Sequence, residues 1–276
     1  MKSIDNIHEI TKAMEMIAAF RFKRAEGRFS KSKAYLGEME TLVANLSGSV
    51  ENLPSPLFEK RPVRKKTLVV ITADKGLCGS YNTNLLRAGA AWREENKDFE
   101  TSFIPVGKVG HEALKKRHHP ILLGYPERSQ VDLALAKKIT GELKNLFLSR
   151  QVDSIEFLYT TYHAGGMGRI HFAPFLSLGY LINTNPKGNQ APEYIYEPDF
   201  ETVFLSLLAR YLEGKIYLTL LESLTSEYSA RMIAMKQATD NSEEILDDLK
   251  LLRNKTRQAT ITRELSEIVS GASVLV

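Results

Sequence analysis

Three features of this chain carry residue types that could do chemistry. The first is the run VVITADKGLCGSYNTNLL, Val69 to Leu86, where an apolar segment meets a turn holding Gly76 and Gly79 before a helical stretch. The second is Cys78, the single cysteine, inside that turn; the third is the adjacent pair His118 and His119, two of six histidines. Each has a chemical requirement that the sequence can be asked to meet.

A phosphate loop of the Walker type needs GxxxxGK[ST], because backbone donors must surround the phosphates while a lysine and a hydroxyl serve charge and metal. Here Gly76-Leu-Cys-Gly79 is followed by Ser80-Tyr81-Asn82, with neither the lysine nor the spacing. The dinucleotide pattern GxGxxG is missing too, and Gly107-Lys-Val-Gly110 fits neither motif. The glycines therefore read as a strand-to-helix turn that needs permissive φ angles. His118 and His119 lie in KKRHHP without a neighbouring Cys or Asp ligand, which favours a solvated loop over a metal centre. Cys78 has no identifiable base and reads as a small buried hydrophobe. No catalytic, cofactor-binding or metal-binding residue is expected.

The elements that would position these residues follow from periodicity. The first fifty residues lack proline and read as one long helix, with Ile7, Ile10, Met14 and Ile17 on a seam that resumes in Leu36, Met39, Val43, Leu46 and Val50. It is expected to end in the Pro54/Pro56 segment. From Lys66 to about Asn185 short β-branched runs alternate with helical ones. Strands are expected at Thr67–Thr72, Ser102–Val106, Ile121–Leu123 and Ser154–Thr161, with an edge strand over Arg169–Leu178. Helices are expected near Asn82–Glu95, Val109–Arg117 and Val131–Leu148, an order that gives βαβ crossovers and a mostly parallel sheet.

Beyond Pro198 there is no further proline or strand pattern, so the remaining residues form one helical candidate on the order of 110 Å long. Met235, Ala238, Ser242, Ile245, Leu249, Leu252, Thr256 and Ala259 follow the alternating spacing of a coiled-coil seam. After Ala259 the stripe shifts to Ile261, Leu265, Ile268 and Ala272, which implies a different neighbour. The fold class is thus α/β: an antiparallel coiled coil of N- and C-terminal helices with an inserted Rossmann-like α/β domain. The expected division is 1–53 for the first shaft helix, 66–198 for the domain and 199–276 for the second shaft helix.

The chain has 276 residues, 43% hydrophobic, and a formal charge of +4. Residues 1–33 alone hold eight Lys/Arg against four Asp/Glu, so the basic character is local to one end. A lone cysteine cannot form an internal disulfide and suits a reducing compartment. No apolar run reaches the ~18 residues that span a bilayer, and MKSIDNIHE has no signal-peptide core, so the chain is expected to be soluble or held at a membrane by partners. The basic helix at Arg21, Lys23, Arg24, Arg28, Lys31 and Lys33 ranks first as a solvated face, then as a face for an acidic protein, then as a nucleic-acid contact. The tail LSEIVSGASVLV is apolar where chain ends are usually polar and frayed, and asks for an external socket.

Several stretches then resemble the gamma subunits of F-type ATP synthases. ITKAMEMIAAFRFKRAE (Ile10–Glu26) is similar to that family's N-terminal shaft helix, and ITADKGLCGSYNTNLL to the entry of its α/β domain. YEPD (Tyr196–Asp199), SLTSEYSARMIAMKQATDN (Ser223–Asn241) and NKTRQATITRELSEIVSGA (Asn254–Ala272) resemble its C-terminal signature. The resemblance implies a noncatalytic central rotor shaft, without cofactor, standing in a ring of alpha and beta subunits. Its α/β domain would sit below with the epsilon subunit and the membrane c-ring. The site would be peripheral to the inner cell membrane, on the cytoplasmic side of a bacterium.

By motif position, the resemblance places Lys12, Met14 and Glu15 against the moving lobes of beta. It places Arg257, Gln258, Thr262 and Glu264 on loops of the ring, and makes Leu265, Ile268 and Val269 an apolar bearing. Tyr196 and Glu197 would lie near the foot, toward epsilon or the rotor ring. Two departures stand out: the family usually has a few more helical turns before the segment matching Ile4, and the cysteine pair inserted in light-regulated plastid members has no counterpart. The alternatives carried beside this reading are an α/β enzyme with helical arms and a coiled-coil scaffold or nucleic-acid binder.

Overall fold

The computed structural model describes residues 2–48, 57, 62–128, 130–163, 168–176 and 195–273. In chain order these form α1 (Lys2–Gly48), β1 (Lys65–Ile71), α2 (Tyr81–Glu95), β2 (Glu100–Val106), α3 (Lys108–Lys116), α4 (Leu133–Leu148), β3 (Ser154–Thr160), β4 (Ile170–Pro174) and α5 (Phe200–Ser273). The Pro54/Pro56 segment, Val50 and the final Val274–Val276 lie outside the described residues.

The sheet has the order β2-β1-β3-β4. β1 is parallel to both β2 and β3, while β4 runs antiparallel on the edge of β3. β1 carries the run KKTLVVI and is buried on both faces from Thr67 onward, as a central parallel strand between helical layers must be. One face packs on α2 through Leu68, Val70, Leu85, Trp92 and Phe103. The other joins Val69, Ile71 and Ile104 to α4 and to the lower part of α5 in the larger core.

The expected strand at Ile121–Leu123 is a correction. That segment touches β2 only at two isolated parallel bridges, Ile121 to Phe103 and Tyr125 to Val106. Leu122 N donates to Phe103 O and Tyr125 N to Pro105 O, but the residues between them leave the ladder, and Pro120 has no N–H to extend it. α4 begins at Leu133 rather than Val131 because Asp132 caps it, its Oδ1 accepting from Leu135 N at 2.8 Å. Its counterpart on the long helix is Asp199, whose carboxylate accepts from both Thr202 N at 2.9 Å and the Thr202 hydroxyl at 2.8 Å.

α1 and α5 pair antiparallel. Along α1 from its N-terminus, the partners on α5 run toward that helix's start: His8 bonds Ser242 at 3.2 Å, Thr11 bonds Thr239 at 3.0 Å, Arg28 bonds Tyr217 at 2.8 Å, and Glu40 accepts from Tyr211 at 3.3 Å. The lower seam follows expectation, with Leu36, Met39, Val43 and Leu46 all buried. The upper seam does not. Ile7, Ile10 and Ile17 are 48%, 59% and 54% exposed, while Ala18, His8 and Thr11 face α5 instead. On α5 the buried stripe runs Met235, Thr239, Ser242 and Leu246 rather than through Ala238 and Ile245. Beyond the turn level with Lys2, residues 251–268 are exposed apart from a partly buried Thr260, so the expected seam through Leu252, Thr256 and Ala259 has no partner helix among the described residues.

Candidate functional site: the carboxyl end of the sheet and an uncovered shaft

In an open α/β sheet, ligands bind outside the carboxyl ends of the parallel strands, where helix N-termini present backbone donors. Here a cavity of about 690 Å³ opens at that place, lined by Asp74, Lys75, Gly76, Lys108 and Arg128, but the backbone donors beside it are bonded within the protein. Asp74, just after β1, accepts from Lys108 N at 3.2 Å and from Arg128 N at 3.0 Å. Val109 N donates to Ala73 O, and Gly110 N to the Thr72 hydroxyl at 2.9 Å. The first-turn donors of α3, which would hold a phosphate, are thus spent on internal acceptors. The Gly76–Gly79 turn adopts positive φ at Leu77 (61°) and Gly79 (57°), as a sharp strand-to-helix joint does.

The other chemical candidates resolve in the same direction. Cys78 is buried and receives the Asn82 amide at 3.2 Å, and burial pushes its thiol up from the ordinary value, away from a reactive thiolate. His119 meets Arg93 at 2.7 Å and packs against the Phe103 ring; burial and the Arg93 charge both lower its pKa. No cluster of His, Cys, Asp or Glu among the described residues is arranged to hold a metal ion. Among those residues, too, no helix is long and apolar enough to cross a membrane.

Of the basic residues on α1, Arg28 donates to Val131 O and the Tyr217 hydroxyl, and Arg21 and Lys33 lie over the rings of Tyr228 and Phe29. Half of that run is therefore engaged within the molecule, which weakens the nucleic-acid reading.

What remains uncovered is the upper shaft. Met14 is partly buried beside Ala18 and Arg21 in that same cavity, between the shaft and the domain loops, with Lys12 exposed and Glu15 partly buried next to it. Arg257, Gln258, Thr262 and Glu264 are all exposed on the unpaired length of α5. Leu265 and Ile268 are 58% and 68% exposed on the same length, and Val269 follows within the helix. Tyr196 sits at the opposite end, half-buried edge-on against Phe200, with Glu197 exposed beside it. The residues singled out in the sequence thus fall in three separate groups along the shaft and form no common pocket. Sequence reasoning missed Ile7, Ile10, Met16, Ile17 and Phe20 as an exposed apolar surface: the three isoleucines have spacing equally suited to a buried seam, and Met16 and Phe20 lie off that seam.

A shaft of this kind on an α/β base has relatives. The ATP synthase family profile matches residues 1–275. The chain is 35% identical over 289 residues to the ATP synthase gamma chain of Chlorobium chlorochromatii, covering 100% of this chain and 96% of that one. It belongs to the ATP synthase gamma chain family. The gamma chain of Cupriavidus necator matches at 35% identity over 292 residues, with 100% and 97% covered.

The fold agrees with solved structures. A chain of the central stalk and c-ring of Tetrahymena thermophila mitochondrial ATP synthase superposes with a TM-score of 0.66 at 24% identity, over 83% of this chain and 99% of that one. A chain of the Euglena gracilis mitochondrial enzyme gives 0.69 at 18% identity, over 99% and 91%. As a gamma chain, this protein is a noncatalytic subunit of the peripheral F1 part of ATP synthase.

Proposed function

We propose that this chain turns as the rotor shaft inside a ring of alternating alpha and beta subunits, coupling transmembrane ion flow to ATP synthesis or hydrolysis. The observation that carries the reading is the uncovered apolar shaft. Past its pairing with α1, α5 is exposed for ~27 Å over residues 251–268, with Leu252, Leu265 and Ile268 facing solvent. Apolar surface on that scale is otherwise covered by a partner. A sleeve with few directional bonds suits a turning tip, because polar bonds there would have to break at every step.

On this reading Lys12, Met14 and Glu15 face the moving lobes of beta, while Arg257, Gln258, Thr262 and Glu264 engage loops of the ring. Leu265, Ile268 and Val269 form the apolar bearing. The functional division is 1–53 and 199–276 for the shaft and 66–198 for the base, where Tyr196 and Glu197 lie toward epsilon or the c-ring. The chain would work on the cytoplasmic side of a bacterial cell membrane. Rotation changes which face each beta subunit meets, so differential contact exchanges nucleotide affinity among sites that are otherwise equivalent.

Co-purification with alpha and beta subunits, followed by an ATPase assay with and without this chain, tests the reading. Entry into the ring with altered turnover is expected; a chain that neither enters the ring nor changes its turnover is no rotor. In the assembled complex, Arg257→Ala with Glu264→Ala is expected to weaken coupling while the isolated fold survives, and unchanged coupling would remove both residues from the site.

A further inference from the structure

The domain and the shaft are joined by a buried charged knot. Glu227 of α5 accepts from Arg128, in the segment before α4, and from Arg231 one helical turn on at 2.7 Å. The three side chains are 1%, 7% and 11% exposed for Arg128, Glu227 and Arg231. Arg231 also donates to Lys75 O at 3.1 Å and Gly76 O at 3.2 Å, and Arg128 reaches the Ser223 hydroxyl at 3.4 Å. Ser223 in turn meets the Tyr81 hydroxyl at 2.7 Å. Two loops of the domain and the start of α2 therefore converge on two turns of α5.

The position of the knot matters as much as its chemistry. Among the described residues, Arg231 is the last residue of α5 to make a hydrogen bond or ion pair to the domain; the bonds that follow, from Thr239 and Ser242, go to α1. The knot marks the point where a broad base gives way to a thin two-helix shaft. Below it the apolar core of Leu212, Ile216, Leu220 and Leu221 holds the domain by non-directional packing. A carboxylate shared by two guanidinium groups is directional, and when desolvated it resists displacement of either partner.

We propose that Arg128, Glu227 and Arg231 act as a torque key: positioning residues that fix the angular setting of the domain on α5, so that rotation of the base reaches the upper shaft without lost angle. This rests on the rotor reading given above.

The test uses the complete complex reconstituted in vesicles. Replacing Arg128, Glu227 and Arg231 together by Met removes the directional tie without stranding a buried charge, a change that is often close to neutral for stability. The triple variant is expected to assemble and melt like the parent. It should nonetheless show a several-fold fall in ions transported per ATP hydrolysed and broader angular dwells in single-molecule rotation. Arg128→Lys alone, which keeps the charge, is expected to retain part of the ratio. A triple variant that fails to assemble, or one with parental transport ratio and dwell widths, overturns the proposal. If the unaltered chain itself does not enter an alpha-beta ring, it is the rotor reading that fails.

Discussion

Glu222 shows how a single side chain can carry a stability cost. It lies between the shaft and β3, accepting from Tyr162 N at 3.2 Å, and desolvation raises its pKa despite the lowering effects of the bonds from Tyr162 and Tyr159 and of Lys33 and His171. A carboxyl raised on folding contributes stability that is fully present below its unfolded pKa and is lost as pH rises through the folded value. Glu222→Gln, which keeps the acceptor for Tyr162 N, is therefore expected to raise the denaturation midpoint at neutral pH and to flatten its fall above the usual carboxylate range. Urea titrations across that range check it.

Two glycines give opposite expectations at the same scale. Gly107 has φ of 107°, and a Cβ there would lie 2.2 Å from Thr72 O, so Gly107→Ala should cost more than about 1 kcal/mol. Gly89 is helical, and its Cβ would meet Leu158 at an ordinary 3.6 Å, so Gly89→Ala should stabilise by roughly 0.5–1 kcal/mol. Denaturant unfolding of the two variants distinguishes a required glycine from a tolerated one.

Among elements, α5 divides into a part held by tertiary packing and a part held by its own backbone bonds. Phe204, Leu208, Tyr211, Leu212, Ile216, Leu220 and Leu221 are buried in the core, whereas no side chain from Leu251 to Ile268 is fully covered. Isolated helices have little stability of their own without an apolar face to pack. Amide exchange in the free chain should therefore be slow from Phe204 to about Leu246 and fast beyond Leu251, with protection of the second segment appearing when alpha and beta subunits are added. Equal protection in the free chain would mean that the segment is already covered.

The upper seam was misread for a reason tied to this element. Met235, Ser242 and Leu249 belong to both possible 3-4 alternations, and only the position of α1 selects Thr239 and Leu246 over Ala238 and Ile245. Likewise Ile7, Ile10 and Ile17 have coil spacing, yet their surface is left uncovered by α5 and so is available to another chain.

For the whole molecule, the exposed apolar shaft predicts that the isolated chain self-associates with concentration. Sedimentation should detect oligomers that diminish when residues 251–276 are removed, while the thermal midpoint of the base stays unchanged because its core contains none of those residues. A truncation that lowered the midpoint would show that the upper helix supports the base.

The sequence by itself determined the local elements and their alternation: the absence of proline over long stretches gives two long helices, and the β-branched runs KKTLVVI and SIEFLYT give strands buried in a parallel sheet. Motif spacing excluded a phosphate loop at Gly76 and Gly79, and the signature stretches identified the family. These rest on interactions within a few residues, which periodicity records. Tertiary structure alone decided that Asp74 takes the backbone donors of Lys108 and Arg128, that Arg128 reaches Glu227 across ninety-nine residues, and that α5 outruns its partner. Those depend on which surfaces meet, and a hydrophobic pattern says that a face must be covered without saying by what.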